Sequence, residues 1–177
     1  MQYTTKYQSP IGEILLAGDD TGLTGLWFKG EKYYANNLAP EHETKEIRVF
    51  AETKRWLDIY FSGQEPNFLP PLHLQGTPFR MAVWEILLQI PYGQTTTYNE
   101  IAKQIAKKRG LSGMSAQAVG GAVGHNEISI IVPCHRVVGS NGSLTGYAGG
   151  VDKKAFMLKL EGADMKNLFI PTKGTAL

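Results

Sequence analysis

The chain has 177 residues, 42% of them hydrophobic, with a single cysteine and 18 basic against 16 acidic side chains. That length suits one or two compact domains with a proper core, and the apolar fraction excludes wholesale disorder. One cysteine excludes an intramolecular disulfide framework and a thiolate zinc cluster, and a net charge of +2 is too small to announce a nucleic-acid binder by itself. No run approaches the roughly 20 apolar residues of a membrane span, and the polar start MQYTTKYQSP does not read as a signal peptide, so a cytoplasmic location is expected.

Tyr3 to Tyr7, Ile11 to Ala17 and Leu23 to Phe28 read as three short strands, with SPIG and GDDTG as the turns between them. Residues 42–61 then carry a helical period through Ile47, Phe50, Leu57 and Phe61. Ser62 to Pro78 holds four prolines and two glycines, which rule out a continuous helix or a central strand. It reads as an ordered linker tacked down by Phe68, Leu69, Leu72 and Leu74. A boundary at 76/77 follows. Residues 1–76 carry seven Lys/Arg and ten Asp/Glu, residues 77–165 nine and six, and a tail 166–177 adds Lys166 and Lys173.

Phe79, Val83, Trp84, Leu87 and Leu88 mark a helix that stops at IPYG. Thr97 is placed to cap a second helix starting at Tyr98, with Glu100 as its capping-box partner. A polar loop, KKRGLSGM, separates it from a third helix, AQAVGGAVG, capped by Ser115. An apolar run ISIIVP, expected as a strand, leads into Cys134 and His135. GSNGS carries the Asn-Gly signature of a hairpin. A last helix runs from about Asp152 to Glu161 and stops at Gly162. Two helices across a polar turn, a small-faced helix and a hairpin together describe a helix-turn-helix with a wing.

Cys134 is the natural nucleophile. His135 and Arg136 follow it at once, and both favour a thiolate electrostatically. On an extended backbone Cys134 and His135 point to opposite sides, so a bridging water is expected rather than direct contact. Glu161 is the carboxylate placed to orient His135, because a nucleophile–base pair usually needs a third group. Ala, Val and Gly in the third helix allow close backbone approach to a partner. Lys103, Lys107, Lys108 and Arg109 just upstream suit either phosphates or a solvated helix end. The histidines show no metal-ligand spacing, and no phosphate loop follows a strand. Cys, His and Glu alone also fit a thiol hydrolase, and the helical segment alone fits a DNA binder without chemistry.

The run from Ile130 to Val138, IIVPCHRVV, resembles the active-site signature of the O6-alkylguanine-DNA alkyltransferases, the methylated-DNA–protein-cysteine methyltransferases. The resemblance covers nearly the whole chain: SPIG, GTPF with Val83-Trp84, IPYGQTTTY to Tyr98, AVGGAV to Val123, Asn126, LTGYAGG and Glu161. It implies a mixed α/β fold, with an N-terminal ribonuclease-H-like domain followed by a winged-helix DNA-binding domain. It implies single-turnover transfer of an alkyl group from O6 of guanine (less readily O4 of thymine) in duplex DNA, with no cofactor, no metal and a monomeric protein. By matching positions, Cys134 would accept the alkyl group and His135 would activate it through water. Glu161 would orient the imidazole, Asn126 brace the turn, and Tyr98 assist the leaving guanine at N3 and its rotation out of the stack. Tyr147, Val137, Ala148, Val123 and Gly149 would bind the base. Gln117, Ser115, Ala118, Gly121, Arg136 and Thr97 would face DNA. Three departures stand out: Gln117 where the family usually has arginine, Glu127 where proline is common, and a longer loop between the helices. Cys134 argues against the alkyltransferase-like proteins, which replace it.

Overall fold

The computed structural model describes residues 1–172, which form two compact units. The first comprises Met1–Gln75 together with Glu127–Ile131, and the second Gly76–Asn126 together with the chain from Val132 onward.

The first unit is a four-stranded sheet with one helix. Its strands are β1 (Gln2–Ser9), β2 (Gly12–Gly18), β3 (Leu23–Phe28) and β4 (His42–Thr44), and its helix is α1 (Arg48–Phe61). The sheet order is β3-β2-β1-β4, with β4 parallel to β1 and the other pairs antiparallel. The expected strands are present. The helix expected over 42–61 is shorter, because His42–Thr44 extends along the edge of β1 and α1 begins only at Arg48. β4 is polar and exposed throughout, so no alternation announced it. Every residue of β3 is buried. Its outer edge is covered by two segments that are not strands. Leu23 donates to the Pro71 carbonyl and accepts from His73, while Leu26 donates to the Glu127 carbonyl and accepts from Ser129. Covering an edge in this way blunts its tendency to pair with another chain.

The proline-rich linker is thus anchored through Pro71–His73. Phe68 lies under the Arg55 guanidinium at 4.4 Å, and Leu72 and Leu74 are half-buried. Leu69 is not an anchor: its neighbours Phe68 and Pro70 face inward, which leaves the side chain between them exposed.

The second unit holds α2 (Pro78–Leu87), β5 (Thr96–Thr97), α3 (Tyr98–Arg109), α4 (Ala116–Gly124), β6 (Val137–Val138) and α5 (Val151–Leu160). Val83, Trp84, Leu87, Ile101, Ile105, Val119 and Val123 are buried, and the Trp84 indole donates to the Ala122 carbonyl at 2.9 Å. Thr97 and Ser115 cap as expected, Thr97 accepting from the Glu100 N–H and Ser115 from both Gln117 and Ala118, and Thr77 likewise accepts from Arg80. The Glu100 carboxylate does not close the expected capping box; it pairs with Lys103, one turn on. α3 continues through Lys107, Lys108 and Arg109, which were expected in the loop. Cations in a last turn are favoured by the helix dipole, and Gly110 closes the helix in the left-handed conformation.

Two expectations around the cysteine are corrected. ISIIVP is not a strand. It makes a single bridge, from Ile128 to Leu26, and then turns, with buried Ile130 at φ 70°. Cys134–Arg136 is a single 3-10 turn rather than an extended strand end. Pro133 cannot donate to a ladder, and Cys134 instead donates to the Val132 carbonyl at 2.8 Å. GSNGS does turn, with Gly139 donating to Ser143, but its flanks do not pair with each other. Val137–Val138 runs parallel to Thr96–Thr97, and Ser143 bridges Phe169. Of the tail expected at 166–177, residues 173–177, including Lys173, lie outside the described residues.

Candidate active site

Cys134 begins the 3-10 turn and is only 5% exposed. The Asn126 side-chain amide donates to its sulfur at 3.3 Å and to the Val132 carbonyl at 2.8 Å. Asn126 thus closes the turn that presents the thiol. An amide donor stabilises the anionic form of a group it reaches, so this contact favours a thiolate.

His135 is fully buried, with Nε2 at 2.5 Å from Glu161 Oε2. The other Glu161 oxygen accepts from Arg136 Nε at 2.8 Å and from the Gly93 backbone N–H at 3.1 Å. Arg136 also donates to the Ile90 carbonyl at 2.7 Å. Burial alone would raise the Glu161 carboxyl, but the hydrogen bonds and charges of His135 and Arg136 outweigh it and hold the group at about 2. Burial pushes the His135 imidazole below its ordinary value. The facing Glu161 opposes that shift, and the Arg136 and Lys154 charges add to it. The pair therefore reads as a neutral imidazole against an anionic carboxylate. Because a carboxylate only accepts, Nε2 carries the ring proton, and Nδ1 is the nitrogen able to take another.

Glu161 caps α5 at its C-terminus, the unfavourable end of the dipole for an anion. Its three donors offset that placement. Arg136, expected to face DNA, is instead buried, with its guanidinium engaged by Glu161 and Ile90. Its role is to hold the carboxylate, because an unpaired buried carboxylate would be strongly destabilising.

Tyr98, at the start of α3, donates to the Thr145 carbonyl at 2.9 Å. Gly146, at φ 80°, is required beside it: a Cβ there would lie 2.9 Å from the phenol oxygen. Burial, and then the charge of Cys134, hold the Tyr98 phenol well above its ordinary value. Tyr147 is buried, edge-on to His135 with ring centres 6.5 Å apart. Val137 and Val123 are buried, while Ala148 and Gly149 are half-buried.

Sequence reasoning missed Lys154. Its side chain is wholly buried, and its ammonium donates to the Val137 carbonyl at 2.5 Å and the Thr145 carbonyl at 2.9 Å. Burial lowers it to about 8, partly opposed by the charge of Cys134. Lys154 and Tyr98 therefore share the Thr145 acceptor. The i, i+3 and i, i+4 spacing from Lys154 to the buried Met157 and Leu158 was the available signal for its inward face.

On α4, Val119, Ala122 and Val123 face inward, and Gln117, Ala118 and Gly121 face outward. A Cβ at Gly121 would meet open space, so packing within the chain does not require glycine there. Ser115 is exposed and Thr97 half-buried, both engaged as caps. Among the described residues, no three His, Cys, Asp or Glu side chains converge as a metal site would need. No helix among them is long and apolar enough to cross a membrane.

Two family models match. Residues 78–163 match the DNA binding domain of 6-O-methylguanine DNA methyltransferase, and residues 2–74 match its ribonuclease-like domain. The chain belongs to the 6-O-methylguanine DNA methyltransferase family. Among relatives, the methylated-DNA–protein-cysteine methyltransferase of Methanosarcina acetivorans is 47% identical over 91% of this chain and 99% of its own. The one from Mycobacterium tuberculosis strain H37Rv is 46% identical over 86% of this chain and 88% of its own. The crystal structure of Mycobacterium tuberculosis O6-methylguanine methyltransferase matches with a TM-score of 0.76 and 40% identity, covering 98% of this chain and 97% of that one. The same organism's OGT in complex with DNA matches with a TM-score of 0.77 and 40% identity, over 94% of each chain. The methyltransferase-family fold, a ribonuclease-like unit followed by a DNA-binding unit, is thus the fold of this chain.

Proposed function

We propose that the protein repairs duplex DNA by moving an alkyl group from O6 of guanine, and less readily from O4 of thymine, onto Cys134. The observation that carries this reading is the Asn126-held thiol next to the His135–Glu161–Arg136 network, in a unit that also presents a helix-turn-helix.

The thiol proton passes through water to Nδ1 of His135. Glu161, anionic throughout the neutral range, stabilises the imidazolium that results. The sulfur then attacks the alkyl carbon, an S–C bond forms, and the C–O6 bond breaks with its electron pair going to guanine. The departing guanine anion takes a proton at N3 from the Tyr98 phenol, which is reprotonated from solvent. Release of the thioether would require breaking an unactivated S–C bond, so each molecule acts once and needs no cofactor.

A buried sulfur cannot reach O6 inside a base stack, so the nucleotide must rotate out, at a cost of a few kcal/mol. Tyr147 and Val137 line the pocket for the extruded base, with Val123, Gly149 and the backbone of Cys134, Val137 and Ala148 around its edge. The outward face of α4 supports the DNA side of the reading. Ala118 and Gly121 let the helix backbone approach a groove closely, Gln117 fills the gap left by the base, and Ser115 and Thr97 sit at helix N-termini that favour phosphate. Residues 1–76, joined by 127–131, would form the ribonuclease-H-like domain, and the rest of 77–165 the winged-helix domain. The protein works as a cytoplasmic monomer.

Incubation with a duplex carrying O6-methylguanine, followed by peptide mass mapping, tests the reading. The peptide containing Cys134 gains one methyl group as the DNA loses it. An unmodified Cys134 beside DNA that stays methylated contradicts it.

A further inference from the structure

Glu127 stands where the family commonly has proline, and its carboxylate is not presented to solvent. Glu127 is 6% exposed and folds with the first unit. One carboxylate oxygen accepts from the Trp27 indole at 2.9 Å and the other from the Asn36 side-chain amide at 3.1 Å. Its backbone carbonyl accepts from Leu26, and Ser129 donates back to Leu26 at 3.0 Å. Trp27 is itself fixed. Its ring folds over Gly25, where a Cβ would fall 2.0 Å from the indole. Segment 127–131 is therefore fastened to β3 by a short ladder and by a buried carboxylate with two neutral donors. Within the fastened segment Ile130 sits at φ 70°, in the left-handed region that a β-branched residue rarely adopts.

The two ends of that segment matter. The residue before it is Asn126 and the residue after it is Val132. Asn126 donates to the Val132 carbonyl and to the Cys134 sulfur. The segment thus closes a loop whose neck is the Asn126–Val132 hydrogen bond, and the thiol hangs from that neck.

We infer that Glu127 is a positioning residue for the thiol: by fastening 127–131 to β3 it fixes where the Asn126 amide meets the Cys134 sulfur. The inference rests on the proposed alkyl transfer for its purpose, but its geometry concerns the thiol alone. Loosening the fastening lets Asn126 drift from the sulfur, and the thiolate loses a hydrogen-bond donor. Loss of a donor to the charged form raises the pKa of that group. A carboxylate suits the position because two donors, one indole and one amide, converge on it. Proline could accept neither.

The test uses the full chain without DNA and follows the reaction of Cys134 with iodoacetamide against pH. The midpoint reports thiolate formation, whereas the plateau rate also reports access. Glu127→Ala and Trp27→Phe each raise the midpoint by about half to one pH unit, while Glu127→Gln, which keeps an acceptor for Trp27, stays within about 0.3 unit of wild type. Melting temperatures are measured alongside. If Glu127→Ala does not fold, Trp27→Phe decides. Midpoints that stay at the wild-type value while melting temperature falls overturn the inference, since the network would then hold the fold and nothing more. Because no methylated DNA is present, failure of the alkyl-transfer reading leaves this outcome readable.

Discussion

The interior and the outer face of the second unit use opposite means. Inside, charge is concentrated: Glu161, His135, Arg136 and Lys154 are all buried, and each hydrogen-bonds a charged group or a backbone carbonyl. Outside, α4 presents Gln117, Ala118 and Gly121, with no charge at all. Buried charges are held in one geometry because each unpaired partner would be costly. An uncharged small-residue face gives little long-range attraction but allows close approach. On the proposed function, chemistry rests on preorganised electrostatics and DNA contact on shape.

Breaking the interior gives the larger effect. Glu161→Gln removes the anion that holds both His135 and Arg136. The single-turnover transfer rate is expected to fall about 100-fold or more, the range of general acid–base contributions. Stability is expected to change with pH in a defined window. The folded Glu161 carboxyl, held at about 2, lies below its ordinary value of 4.5, so it stabilises the fold above that ordinary value and ceases to do so as pH falls toward 2. Thermal melts across this window should show a steeper acid loss for wild type than for the variant. A variant transferring within about twofold of wild type would remove Glu161 from the mechanism.

Much of this interior was legible in the sequence, and the reason is local chemistry. Pro-Cys-His-Arg and a helix-ending glutamate are rare combinations that need a purpose. Caps at Thr97 and Ser115 and the stop at Gly162 were legible for the same reason, since each acts within four residues. The expected extended backbone at Cys134 was wrong because ISIIVP has the composition of a strand, whereas only Ile128 bridges, to Leu26, and the chain turns after it. Arg136 and Glu127 misled because charge in a sequence implies solvent unless a distant partner is known. Their partners lie 25 residues away at Glu161 and 100 away at Trp27. Lys154 was missed although its spacing to Met157 and Leu158 hinted at an inward face, because its acceptors are backbone carbonyls 17 and 9 residues back.

Changing the outer face gives the smaller effect. Gln117→Arg adds a cation to a face that has none. Binding to duplex carrying the methylated base is expected to tighten by a few-fold, and to keep part of that gain at high salt, because a guanidinium stacked in the gap is screened less than a surface phosphate contact. A salt titration of the two proteins measures it. Equal affinities at every salt concentration would remove residue 117 from the gap.

The central claim is that Cys134 is a reagent consumed by the reaction. Titrating the protein with increasing excess of O6-methylguanine duplex and counting restored guanines tests it most directly. The account predicts a plateau at one guanine per protein chain, with none restored by Cys134→Ser. Restoration that continues past one per chain, or that survives the loss of the sulfur, would contradict it.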